Sequence, residues 1–227
     1  MDGTAIQVQY YNAFGSIWKY HRAFLSGEID WAYVLRTGCP LCGSRSCWRE
    51  LTPYYRWAVD LLPFREQRIP IARFFCRKTK ATFSMLPVQL APYHRYTERS
   101  IVFCLLLAAA GQDEGLSLFC VAERQVEPES KITGWLIATW LALVVRGFRR
   151  ARPELKRWFG SLDVKTGYDQ AEELVEVAST CRALRIRAPP HIESLDWLDE
   201  VIGRYCLATG KFLFGTPSQE RARHGLP

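Results

Sequence analysis

Cys39, Pro40, Leu41, Cys42 and Gly43 form the stretch of this chain best suited to chemistry. Two Cys separated by two residues can wrap one side of a metal ion, and structural zinc favours four such thiolates in a tetrahedron. Pro40 and Gly43 suit the tight turns of such a knuckle. Cys76 follows after a segment that reads as a β-hairpin and would supply a third thiolate. A second pair at the same spacing would put a Cys at position 79, but Thr79 stands there and cannot act as a thiolate. Two residues can complete the set: Cys47, five residues after Cys42, and His94, further along behind Pro92. The competing reading is a segment without metal, held together by Trp48, Trp57, Phe74, Phe75 and Phe83. A redox role for Cys39 and Cys42 lacks the thioredoxin-like strand and helix around them.

The second group of residues with chemical potential is basic. Net charge is +7 with a pI near 9.1, which favours an anionic partner such as nucleic acid. Arg65, Arg68, Arg73, Arg77, Lys78 and Lys80 lie on the second hairpin strand and the turn after it. Arg146, Arg149, Arg150, Arg152, Lys156 and Arg157 fall within twelve residues, offset only by Glu154 and interleaved or flanked by Phe148, Trp158 and Phe159. Such cations neutralise phosphates, but they also suit a solvated helix end, where they complement the helix dipole. Lys131 is a further candidate for phosphate contact. Carboxylates do not assemble into a catalytic pattern. Asp169, Glu172 and Glu173 read as a helix first turn, and Asp196, Asp199 and Glu200 as a solvated helix face. The four His are scattered and no Gly-rich phosphate loop is present, so the expectation is a protein that is not an enzyme.

The elements that must carry these residues can be read in outline. Apolar residues make up 48% of 227, enough for a real core. Residues 1–37 are aromatic-rich, with a short helix over 16–25 and a break at Ser26, Gly27 and Glu28. Residues 38–96 form the zinc-ribbon-like unit, with strands over 54–62 and 68–75 joined by a turn at 63–67. Pro70 argues that the second strand is an edge. Residues 97–160 read as three helices, a long one capped by Thr97 and stopped by Gly111, a short one over 116–125, and a third starting at Ser130 and running toward Gly147. That order fits a helix-turn-helix-like unit. Residues 161–227 add two amphipathic helices, one with Leu174, Val177, Ala178, Cys181 and Leu184 on a face, the other with Leu195, Leu198, Val201, Ile202 and Tyr205, capped by Ser194, and then a polar tail. The fold class is therefore α+β: a small N-terminal β zinc ribbon followed by a mostly α-helical domain.

Residues 39–96 resemble the zinc ribbon of transposase-like proteins of bacterial insertion sequences and of their small relatives. The matching stretches are Cys39 to Gly43, Ile69 to Arg77, Thr82 to Pro87 and Pro92 to Tyr96, with Thr79 in place of the usual Cys. The resemblance covers about a quarter of the chain well. It implies a ribbon that precedes a helix-turn-helix, a Zn2+ cofactor, DNA as partner, and a mobile-element origin. The expected function is a non-catalytic DNA-binding protein. The alternatives are a protein-interaction adaptor, or the DNA-targeting half of a transposase or nuclease encoded separately. One feature opposes base readout: the third helix is almost wholly apolar over 132–145, whereas a recognition helix needs a polar face. The apolar runs 101–110 and 132–145 are shorter than the ~20 residues of a membrane span, and the N-terminus has no basic region followed by an apolar core. The expectation is a cytoplasmic protein without membrane contact. Free Cys104, Cys120, Cys181 and Cys206 are expected in the core.

Overall fold

A computed structural model describes residues 6–10, 14–186 and 195–215. Its sheet is built on the hairpin. β2 (Trp48–Leu61) and β3 (Phe64–Cys76) pair antiparallel from Leu61 opposite Phe64 to Trp48 opposite Cys76. Both strands are longer than the sequence pattern indicated: 64–67 are ladder residues, and the turn closes at Leu62 and Pro63. β4 (Ala81–Pro87) returns antiparallel along β3, and β1 (Ile6–Tyr10) adds parallel to β4, giving the order β1-β4-β3-β2. β3 is thus a central strand, contrary to the reading of Pro70. The proline is tolerated because pairing with β4 ends at Ala72, so Pro70 is bonded on one side only.

The aromatic N-terminal segment folds onto this sheet. Ser16 caps α1 (Ile17–Leu25) by accepting from the Lys19 N–H, and α1 covers Ile69 and Ile71, both fully buried. Tyr20 donates to the Pro70 carbonyl at 3.1 Å. A short α2 (Trp31–Val34) places Trp31 edge-on against Phe74, with ring centres 5.5 Å apart.

The helical body begins where a strand-like contact ends. Val59 donates to the Arg95 carbonyl and accepts from the Thr97 N–H, which fixes the start of α3 (Glu98–Asp113) against β2. Thr97 caps α3 as expected, through the Ser100 N–H at 3.2 Å. The helix runs on through Gly111 to Asp113 instead of stopping there. α4 (Leu118–Arg124) follows, capped by Ser117. The third helix is α5 (Gly134–Phe159), capped by Thr133 rather than Ser130, which lies in a short 3-10 turn. It continues through Gly147 and Pro153 to Gly160, ten residues and more past the expected end. α6 (Gln170–Ile186) packs on α3 and α5, and α7 (Asp196–Thr209) packs on α3. Residues 97–160 and the described C-terminal residues therefore share one core, with Trp140, Trp197, Val177 and Leu198 inside it. Leu174, Cys181 and Leu184 are buried as the amphipathic pattern required, and so are Leu195, Val201, Ile202 and Tyr205. Ser194 lies outside the described residues. Cys104, Cys181 and Cys206 are buried, while Cys120 is half-buried.

A buried polar seam joins sheet and helices. Asp60 accepts from the hydroxyls of Thr97 and Ser100, and Arg99 bonds Asp196 at 2.5 Å and the Leu62 carbonyl at 3.3 Å. Asp199 is buried beside this seam, and burial pushes its carboxyl up to about 7 against the pull of Arg99. Among the described residues no single helix is long and apolar enough to cross a membrane; only α3 and α4 taken together reach that length and composition there, and they are bent by 114°.

Candidate metal centre and basic surfaces

Four cysteine sulfurs converge at one end of the sheet. The Sγ atoms of Cys39, Cys42, Cys47 and Cys76 all lie within 4.8 Å of one another. Cys42 and Cys47 are 3.1 Å apart, and Cys76 is 3.6 Å from each. A tetrahedron of Zn–S bonds near 2.3 Å has S–S edges of about 3.8 Å, so the set fits a four-thiolate metal with small adjustments. His94 is not part of it. That residue sits beside Arg56, which bonds its carbonyl, and burial lowers its imidazole.

Local backbone geometry delivers the first two sulfurs. The Gly43 N–H donates to the Cys39 carbonyl at 2.8 Å, and Gly43 takes φ +72°, the left-handed turn that lets the chain fold back under Cys42. The Cys39 N–H donates to the Ser44 carbonyl at 2.9 Å and closes the loop. The other two arrive through the ladder. Trp48 pairs with Cys76 in register, and the Arg77 N–H donates to the Cys47 carbonyl at 2.7 Å, so Cys47 and Cys76 are brought together by the first rungs of β2 and β3.

Thr79, the position of the absent Cys, supports the centre from outside. Its N–H donates to the Cys76 Sγ at 3.4 Å. Burial alone would raise Cys76, but hydrogen bonds from Thr79, Cys42 and Cys47 outweigh it and bring the thiol down to about 6. The Leu41 N–H points at Cys39 Sγ at 3.5 Å. Burial raises Cys39 and Cys47 instead, and for Cys47 the neighbouring thiols add to the rise. Four thiolates at this spacing repel one another, and only a cation at their centre would let all four ionise together.

The basic clusters divide into engaged and free. Arg149 bonds both oxygens of Glu176, at 2.7 Å to Oε2 through Nη2, and also the Gly167 carbonyl. Arg152 bonds the other oxygen, Oε1, at 3.0 Å. The Glu176 side chain is only 1% exposed, so it is a buried anion held by two cations and the Gly167 N–H. Burial would raise its carboxyl, yet these bonds hold it below the usual carboxylate range. Arg150 grips the carbonyls of Phe212 and Leu213 at 2.5 and 2.9 Å. Three of the six expected phosphate contacts on this helix are thus internal braces. Arg146, Lys156 and Arg157 remain exposed on α5, and Lys131 is exposed before it.

The ribbon cations are placed differently. Arg77, Lys78 and Lys80 are exposed on the β3–β4 turn, directly after Cys76. Arg49 pairs with Phe75 and Arg73 with Leu51, which puts both arginines on one sheet face, and the Arg49 guanidinium lies 5.3 Å from the Phe75 ring centre. Arg45 is exposed in the loop between Cys42 and Cys47. None of these six is in an ion pair among the described residues. Arg45 and Arg49 escaped the sequence reading because no local run of charge marks them; the loop between Cys42 and Cys47 places the first, and the register of Arg49 against Phe75 the second. Arg65 and Arg68 sit further up the hairpin, over Trp18 and near Tyr55.

No family model, curated protein or solved structure matches this chain.

Proposed function

We propose that this protein is a non-catalytic DNA-binding protein whose Zn2+ is structural and whose DNA contact is the metal end of the ribbon. Cys39, Cys42, Cys47 and Cys76 would hold the ion. It would cross-link the knuckle to the first rungs of the hairpin and so make the charged turn a rigid surface. The observation that carries the reading is the group of cations Arg45, Arg49, Arg73, Arg77, Lys78 and Lys80 around that end, none in an ion pair among the described residues. A zinc tetrathiolate carries a charge of roughly −2, and Glu50 is the one carboxylate on the same stretches of chain. Six cations exceed that, so the end stays positive when the metal is bound. Phe75, beneath Arg49, offers an apolar ring for a sugar or base. The resemblance to transposase-like ribbons supports DNA as the polyanion. The exposed Arg146, Lys156 and Arg157 are secondary contacts in this reading.

The test is a titration of duplex DNA over a salt series, with the zinc-loaded protein. Phosphate neutralisation gives a linear fall of log affinity with log salt, with a slope of about −0.9 per phosphate. Affinity that does not respond to salt would refute the reading.

A further inference from the structure

The corner between α4 and α5 carries a different kind of surface. Phe119 is 63% exposed and Trp135 is 70% exposed, the latter the most exposed Trp among the described residues. The backbone forces them to share this corner. A Cβ on Gly134 would lie 2.8 Å from the Phe119 N and 2.9 Å from its ring Cγ, so only a glycine lets the first turn of α5 press onto Phe119. Trp135 is the next residue, and the half-buried Leu116 and Leu136 link these segments to the core. Two aromatic side chains of this size held in water are costly in a protein whose other Trp residues are at least partly packed, and such patches mark contact sites.

The charge around the corner runs against the rest of the chain. Asp113, Glu114, Glu123, Glu127 and Glu129 are all exposed, at the end of α3, on the connectors and on α4, against Arg124 and Lys131. None of these five acids forms an ion pair among the described residues. Glu123 lies one turn after Phe119 on the same helix face. In a chain of net charge +7 the segments that lead into α4 and from it to α5 are thus locally acidic. They would repel phosphates, so this corner is not a groove-reading element even though α4 and α5 have the order of a helix-turn-helix.

We infer that the Phe119–Trp135 corner docks a protein partner that offers an apolar anchor side chain flanked by Lys or Arg. The two rings supply the central burial and the acids supply orientation and partner choice, the usual division between the centre and rim of an interface. The inference is independent of the ribbon's DNA reading.

A random peptide library displayed on phage, panned on the full chain and counter-selected on the F119S/W135S variant, tests it. Both replaced side chains are exposed, and circular dichroism confirms that the variant is folded. The expected result is enrichment of peptides with a Leu, Phe or Trp anchor and net positive charge. Their binding should weaken by about 30-fold or more on W135S, as for a hot-spot residue, and should also weaken on E123K/E127K, which leaves the rings in place. No enrichment over the counter-target, or enrichment of acidic peptides, would overturn the inference. So would sedimentation showing that the wild type self-associates while F119S/W135S is monomeric, because the occupant would then be a second copy.

Discussion

The Thr79 N–H lies 3.4 Å from the sulfur of Cys76, at the position where a ribbon of two matched pairs would carry its fourth ligand. At that position the chain offers the Cys76 thiol two donors instead, the backbone N–H and the Thr79 hydroxyl. Cys47, which directly precedes the opposite strand, is the fourth thiol of the cluster because the β2–β3 register sets it beside Cys76. The two changes are coupled in space: a donor at 79 lowers the neighbouring thiol, while the sulfur from 47 closes the cluster.

Zinc analysis of Cys47→Ser checks this assignment. Wild-type protein is expected to hold one zinc per chain and to lose thermal stability on chelation, because metal binding is coupled to folding of the ribbon. Cys47→Ser should lose the zinc, whereas His94→Ala should keep it. Thr79→Val, which removes the hydroxyl donor, should lower zinc affinity by about tenfold, the lower end for a supporting contact. Full zinc retention by Cys47→Ser would return the fourth place to another residue.

The salt slope locates the DNA surface. Arg77→Gln, Lys78→Gln and Lys80→Gln together should reduce the slope of log affinity against log salt by about 2–3. Arg146→Gln should change it by no more than about 1. An unchanged slope in the triple variant would move the contact away from the ribbon turn.

Glu176→Gln should unfold more readily than wild type. It leaves Arg149 and Arg152 without their shared anion, and Glu176 is itself 1% exposed. Both arginines are partly solvated, so the cost should be on the order of 2–3 kcal/mol, below that of a fully buried pair. For a chain of this size that is a fall in Tm of roughly 5–10 °C. Ala substitutions at Arg149 and Arg152 should lower Tm as well, and any loss of DNA affinity in them would then follow the folded fraction.

Asp199 makes stability fall with rising pH. Its folded carboxyl sits at about 7 against an ordinary 3.8. Between those values the folded state holds a proton that the unfolded state has released, so unfolding free energy declines as pH rises from about 4 to about 7 and then levels off. Asp199→Asn keeps a neutral side chain beside Arg99, Asp196 and Asp60 and should lack this decline. It should exceed wild type at pH 8 by an amount on the order of a few kcal/mol. Chemical denaturation at pH 5 and pH 8 reads both quantities; parallel curves for the two proteins would contradict the assignment.

Gly147→Ala should loosen the C-terminal segment. A Cβ there would lie 2.4 Å from the Leu213 carbonyl oxygen and 2.7 Å from the Phe214 ring. Overpacking of this kind costs about 1–3 kcal/mol. Limited proteolysis should cut near residues 210–215 faster than in wild type, while the zinc content stays the same.

Local chemistry made much of this protein legible. Thr97 caps the helix that its side chain announced, because an N-cap bond spans only three residues, and Ser16 caps α1 in the same way. The buried faces of α6 and α7 follow from helical period, and the knuckle from Cys spacing and one left-handed Gly43. The sequence also named all four thiols, leaving Cys47 and His94 open for the last place. Partners distant along the chain were decided only in the tertiary structure. The run at 146–157 looks like a phosphate-binding patch until Glu176 and the carbonyls of Phe212 and Leu213 arrive from 24 to 63 residues away and engage half of it. Strand register chose Cys47 over His94, and the early end of β4 pairing let Pro70 sit in a central strand. A charge or a thiol reveals its type in the sequence, but its partner depends on which distant backbone comes within hydrogen-bond reach, and only the folded chain sets that distance.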